Sequence, residues 1–149
     1  MPINNDADFK AALAELDIHQ QRRAAAAFVE SVLHLCQDMR VSSAIAMVKH
    51  PGVGESELAS AYQAVNSVRV ERFTQCGKEA DWRSQAGHFV AKAALSCVRP
   101  ADESPGNIAW EAAMSARMAR TCESVAEGTG TDNHEAETQY RILYDLLNS

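Results

Sequence analysis

Ala109-Trp110-Glu111-Ala112-Ala113-Met114-Ser115-Ala116-Arg117-Met118-Ala119-Arg120 sets alanines three and four residues apart, the spacing that stacks side chains on one face of an α-helix. Alanine loses no side-chain entropy in a helix and lets neighbouring helix backbones approach closely. The same residue clusters at Ala24 to Ala27 and at Ala86, Ala91, Ala93 and Ala94, and it makes up 26 of the 149 residues. No segment alternates with period two. The expected fold is therefore all-α: a compact bundle or irregular array of six to seven mostly antiparallel helices, in a single domain over residues 1–149.

Working outward from this stretch, Asn107 caps its helix, which turns Ile108, Ala112, Met114 (or Ser115), Met118, Cys122 and Val125 inward. Residues 101–106 form a loop, and Pro100 closes the helix before it. That helix is capped by Asp81 and carries the stripe Trp82, Ala86, Phe89, Val90, Ala93 and Cys97. The helix upstream starts near Glu55 and buries Leu58, Tyr62 (or Ala61), Val65, Val68, Phe73 and Cys76, with Gly77 as its stop. A short helix with Ile45, Met47 and Val48 is capped by Ser42 or Ser43 and ended by residues 50–54. Asp17 and Gln20 spell a capping box, with Leu16 as staple, for a helix over 18–37 that buries Ala25, Phe28, Val29, Val32, Leu35 and Cys36. Asp6 or Asp8 caps a first helix reaching Leu16. Downstream, residues 128–133 are the one flexible stretch, and residues 135–147 form the last helix, with Tyr140, Leu143, Tyr144 and Leu147 as its face.

The net charge of −6 argues against a nucleic-acid binder, which needs a basic surface to neutralise phosphates. The charge is uneven. Residues 1–68 hold five basic and eight acidic side chains, residues 69–99 six and three, and residues 100–149 three and nine. A basic middle between acidic flanks reads either as complementarity within the fold or as charge left for a partner surface. No run approaches the roughly 18 apolar residues of a membrane span, and residues 1–9 are polar and acidic, unlike a signal peptide. The four cysteines include no C-x-x-C, so buried thiols in a reducing cytoplasm are expected.

No residue set spells a catalytic, cofactor or metal site, and no enzyme is expected. Glu30 and His34 sit four apart, on one helical face, but the chain has neither Glu-x-x-His nor His-Glu-x-x-His. The run Gly128-Thr129-Gly130-Thr131 lacks the following Gly-Lys-Ser/Thr of a phosphate loop. The candidate partner-binding residues are Trp82, Arg83, His88, Arg117 and Arg120. Trp and Arg are the usual anchors of protein interfaces, although Trp82 could equally plug the end of the bundle. Arg117 and Arg120 share a face beside small residues, where they either meet an acidic partner helix or pair with Glu123 and other acids of the fold.

Phe28-Val29-Glu30-Ser31-Val32-Leu33-His34-Leu35-Cys36, a short Ala-Ile-Ala helix, Glu57-Leu58-Ala59-Ser60-Ala61-Tyr62 and Gln85-Ala86-Gly87-His88-Phe89-Val90-Ala91-Lys92-Ala93-Ala94 follow one another in this chain. In that order it resembles the alanine-rich, all-helical immunity proteins of bacterial polymorphic toxin systems, over roughly residues 24–98. The resemblance implies a cytosolic antidote that binds a toxin and masks its active site. The expectation is thus a non-enzymatic protein that binds another protein. The alternatives are a homodimer joined through the 140–147 helix, and a small-molecule pocket around His88, Tyr62 and a cysteine.

Overall fold

The computed structural model describes residues 2–76, 81–100 and 106–148. They form seven α-helices and no strand: α1 (Asp6–Ala14), α2 (Ile18–Glu30), α3 (Met39–Val48), α4 (Glu55–Cys76), α5 (Trp82–Val98), α6 (Ile108–Ala126) and α7 (Glu135–Leu147). A 3-10 turn at Leu33–Leu35 joins α2 to α3. The all-α reading holds. Among the described residues no helix is long and apolar enough to cross a membrane.

The local starts follow the sequence closely. Asp17 accepts the Gln20 N–H at 2.9 Å while the Gln20 side chain accepts the Asp17 N–H at 3.0 Å, which completes the capping box of α2. Asp81 and Asn107 cap α5 and α6 through the N–H groups of Arg83 and Trp110. Helix α5 stops at Arg99, whose extended backbone suits the residue before a proline. The expected stop at Gly77, the loop at 101–105 and the side chain of Cys76 lie outside the described residues.

Besides α1 ending at Ala14, short of Leu16, three boundaries differ. Asn5, not Asp6 or Asp8, caps α1, by accepting the Asp8 N–H at 2.8 Å. Asp38, not Ser42 or Ser43, caps α3. The third difference is the largest: α2 ends at Glu30 instead of running to residue 37. The Ser31 hydroxyl donates to the Glu135 carboxylate (2.6 Å to Oε2), and its carbonyl accepts Arg120 Nη2 at 2.9 Å. With the Ser31 carbonyl so engaged, Leu35 N–H bonds Val32 instead, and the chain tightens into the 3-10 turn.

Helix α5 is the centre of the array and touches α2, α3, α4 and α6, most extensively α6. Helices α5 and α6 pack most extensively on each other, and both bury alanine: Ala86, Ala91, Ala93 and Ala94 in α5 and Ala109, Ala112, Ala113, Ala116 and Ala119 in α6. Larger apolar groups gather where α1 closes the far side. There Phe9 packs on Phe28, Trp110 and Tyr140 with ring centroids 5.5, 6.1 and 5.4 Å apart. Helix α7 is seated by Leu143 and by the fully buried Gln139, which donates to the Ala113 carbonyl at 2.9 Å. It is reached through an exposed connection in which Gly128 and Gly130 take φ of 80° and 79°, a region L side chains rarely adopt. Several residues expected inside lie outside: Phe73, Trp82, Met118, Tyr144 and Leu147 are exposed at the ends and margins of their stripes.

Candidate functional site

Asp81 fixes how α5 begins. Its Oδ1 accepts the Arg83 N–H and its Oδ2 the Ser84 hydroxyl, both at 3.0 Å. These bonds hold its carboxyl below the usual range, the Ser84 hydroxyl contributing most. The first turn of α5 therefore presents Trp82 (43% exposed) and Arg83 outward beside the last turns of α4, where Phe73 is 63% exposed.

One turn further along α5, Gly87 is buried. A Cβ there would stand 3.4 Å from the Leu35 carbonyl oxygen and 3.5 Å from Arg72 Nη1. The bare backbone thus lets the 3-10 turn and the Arg72 side chain lie against α5. His88 is half-buried and faces α4: its Nδ1 is 3.2 Å from the Arg69 carbonyl, and its ring packs between Phe73 (5.6 Å) and Phe89 (5.4 Å). A carbonyl only accepts, so Nδ1 carries the proton. Burial lowers the His88 pKa and favours the neutral ring. His88 ties α5 to α4 behind the exposed Trp82 and Arg83.

A cleft of about 310 Å³ opens between the 3-10 turn, α4, α5 and α6. His34 and Glu123 form one wall, with His34 Nε2 2.9 Å from Glu123 Oε2. Arg72, Arg83 and Ser84 form the other. Arg120 Nη1 also reaches Glu123, at 2.5 Å. Burial raises the Glu123 pKa, but the bonds from His34 and Arg120 outweigh it and hold the carboxyl below its usual value. Arg72 and Arg83 belong to no salt bridge among the described residues. The mouth of the cleft is therefore cationic within a chain of net charge −6. That arrangement offers donors to a carboxylate, and Phe73 and Trp82, each next in sequence to one of the two arginines, are exposed.

Arg117 and Arg120 have the other of the two roles weighed for them. Arg117 grips Asp6 (Nη2 to Oδ1, 2.8 Å), donates from Nε to Gln139 at 2.8 Å, and lies over the rings of Phe9 and Tyr140. Arg120 joins Glu123, Glu135 and the Ser31 carbonyl. Both hold helices together, and neither belongs with Trp82 and Arg83. Glu30 and His34 do not share a face, because α2 ends between them and Glu30 pairs with Lys49 at 3.1 Å instead. Among the described residues, no three His, Cys, Asp or Glu side chains come close enough to hold a metal ion. Cys36, Cys97 and Cys122 are buried, and burial pushes the thiol pKa of Cys36 and Cys97 up, away from thiolate. Ser31 donates to Glu135, not to His34, so the two do not form a nucleophile and base.

His34, Arg72 and Glu123 escaped the sequence reading because 38 and 51 residues separate them along the chain, and no local pattern links them. The excess of basic residues over 69–99 was a sequence signal for Arg72 alone. Apart from Arg99, which pairs with Glu111, none of that segment's described cations forms a salt bridge. The chain matches no protein-family model, no curated protein and no solved structure.

Proposed function

We propose that the protein is a non-enzymatic binding protein that docks an acidic face of a protein partner against the corner of α4 and α5, as an antidote masks a toxin. The observation that carries this reading is that Arg72 and Arg83, outside any salt bridge among the described residues, line one cleft, while Phe73 and Trp82, next to them in sequence, are exposed. Arginine and tryptophan dominate the binding energy of interfaces, and an acidic partner would supply the missing charge. Co-expression with the product of the adjacent gene tests the proposal. The wild type should co-purify with that product and relieve its toxicity. Arg83→Glu should weaken the complex by about a hundredfold, the scale of a hot-spot residue, without moving the melting temperature. A wild type that neither binds nor protects would sink the reading, as would undiminished binding by Arg83→Glu.

Self-association is a second reading, supported by a groove of about 600 Å³ between α3 and α4. Met39, 81% exposed, stands at its rim, and Ser56, Ser60 and Ala64 leave room for a close helix. Arg40 beside it is already paired with Glu71 at 2.7 Å. Light scattering decides: a monomer at all accessible concentrations removes this reading.

A further inference from the structure

Arg22 is 5% exposed and holds its charge at the edge of the core. One nitrogen, Nη1, donates to the Cys97 carbonyl at 2.7 Å. Among the described residues no carboxylate pairs with it. One carbonyl takes only one of its five N–H groups, and its other nitrogens keep contact with solvent, where they can donate to a ligand. Burial pulls its pKa below the usual guanidinium value.

Arg22 lines a cleft of about 460 Å³ between the start of α2 and the turn from α3 to α4. The other donors on the wall are Arg23, His19, Gln20, His50 and Lys49. Arg23 is exposed and in no salt bridge among the described residues, whereas Lys49 is shared with Glu30. The one carboxylate on the wall, Asp17, already accepts the Gln20 N–H. The first turn of α2 adds the partial positive charge of a helix N-terminus. Val48, Pro51 and Val53 make an apolar side to the same space. Two guanidinium groups, an amide and two imidazoles offer more donors than the two oxygens of a carboxylate accept, and they match the three terminal oxygens of a phosphate monoester.

We propose that this cleft binds a phosphate-bearing small molecule, with Arg22 as the buried anchor, Arg23 and His50 closing on the phosphate from the rim, and the apolar side receiving the organic remainder. The cleft volume falls within the range of small-molecule sites. It lies at the opposite end of α5 from Trp82, about 22 Å along the helix axis, so occupancy here is independent of partner docking at the α4–α5 corner.

Calorimetry and thermal melts of the full chain test the site. The probes are inorganic phosphate, a sugar phosphate with its unphosphorylated sugar, and acetate, all at matched ionic strength. Phosphate and the sugar phosphate should saturate one site per chain and raise the melting temperature, the sugar phosphate binding more tightly. The sugar alone and acetate should do neither. Arg23→Gln should weaken phosphate about tenfold, the scale of one lost charge-assisted bond, while leaving the unliganded melting temperature and partner binding unchanged. His50→Gln should act in the same direction. Arg22→Met is the less clean variant, because Arg22 also supports the Cys97 carbonyl. Absence of saturable phosphate binding at millimolar concentration overturns the proposal. So does equal binding of acetate, or phosphate binding that Arg23→Gln and His50→Gln leave intact.

Discussion

Asp6 accepts hydrogen bonds from two later helices: Arg117 of α6 grips both carboxylate oxygens, and the Tyr140 hydroxyl of α7 reaches Oδ1 at 2.7 Å. The bond from Arg117, followed by that from Tyr140, holds the Asp6 carboxyl below the usual range. A carboxyl with a depressed pKa in the folded state stabilises the fold fully above its unfolded pKa near ~4. That contribution disappears as pH falls through the lower folded value. Asp6→Asn should therefore cost about 1 kcal/mol or less at neutral pH, since the pair is half-exposed and screened. The difference from wild type should close in acid, which urea unfolding between neutral pH and strongly acidic conditions will follow. A gap that stays constant with pH would count against this account. Such a residue is legible in sequence only as a charge near a helix start, because its partners lie 111 and 134 positions away.

The helices show where local reading suffices and where it does not. The starts of α2, α5 and α6 could be read because a cap and its N–H groups lie within three residues of each other, whereas α7, whose His134 makes no side-chain cap, could be read from the spacing of its apolar residues. The end of α2 could not. It is set by Ser31 meeting Glu135, 104 positions away, and nothing between residues 28 and 37 announces a break. At the start of α3 the sequence offers several capping residues, and Asp38 prevails over Ser42, whose hydroxyl turns back to the Met39 carbonyl inside the helix. The seam of α5 and α6 leaves little room for side chains longer than a methyl group. Ala116→Leu should therefore destabilise the protein by about 1–3 kcal/mol through overpacking, whereas Ala136→Leu, on a partly exposed position of α7, should change stability by no more than about 0.5 kcal/mol. Chemical denaturation of the two variants makes the comparison.

At the scale of the whole molecule, charge organises what alanine does not. The basic middle meets the acidic C-terminal flank at Arg99–Glu111, yet Arg72 and Arg83 stay outside any salt bridge among the described residues, and the cationic mouth of the cleft follows from that. Trp82 carried two readings in the sequence, a place on the inward stripe and a candidate anchor, and it is exposed, whereas the cleft that Arg83 lines exists only once the 3-10 turn and α6 are brought to it. The connection from α6 to α7 bears on this assembly in another way. It is exposed, it turns on two glycines of positive φ, and α7 is seated beyond it by Glu135, Gln139 and Leu143. A backbone cut between Gly128 and Gly130 would remove no buried contact. The seventh helix should then behave as a tethered ligand of the other six: a peptide covering residues 131–149 should rebind the cleaved remainder and restore its helicity, measured by circular dichroism on mixing. The chain can in that sense be used as a split protein, with reassembly as its readout.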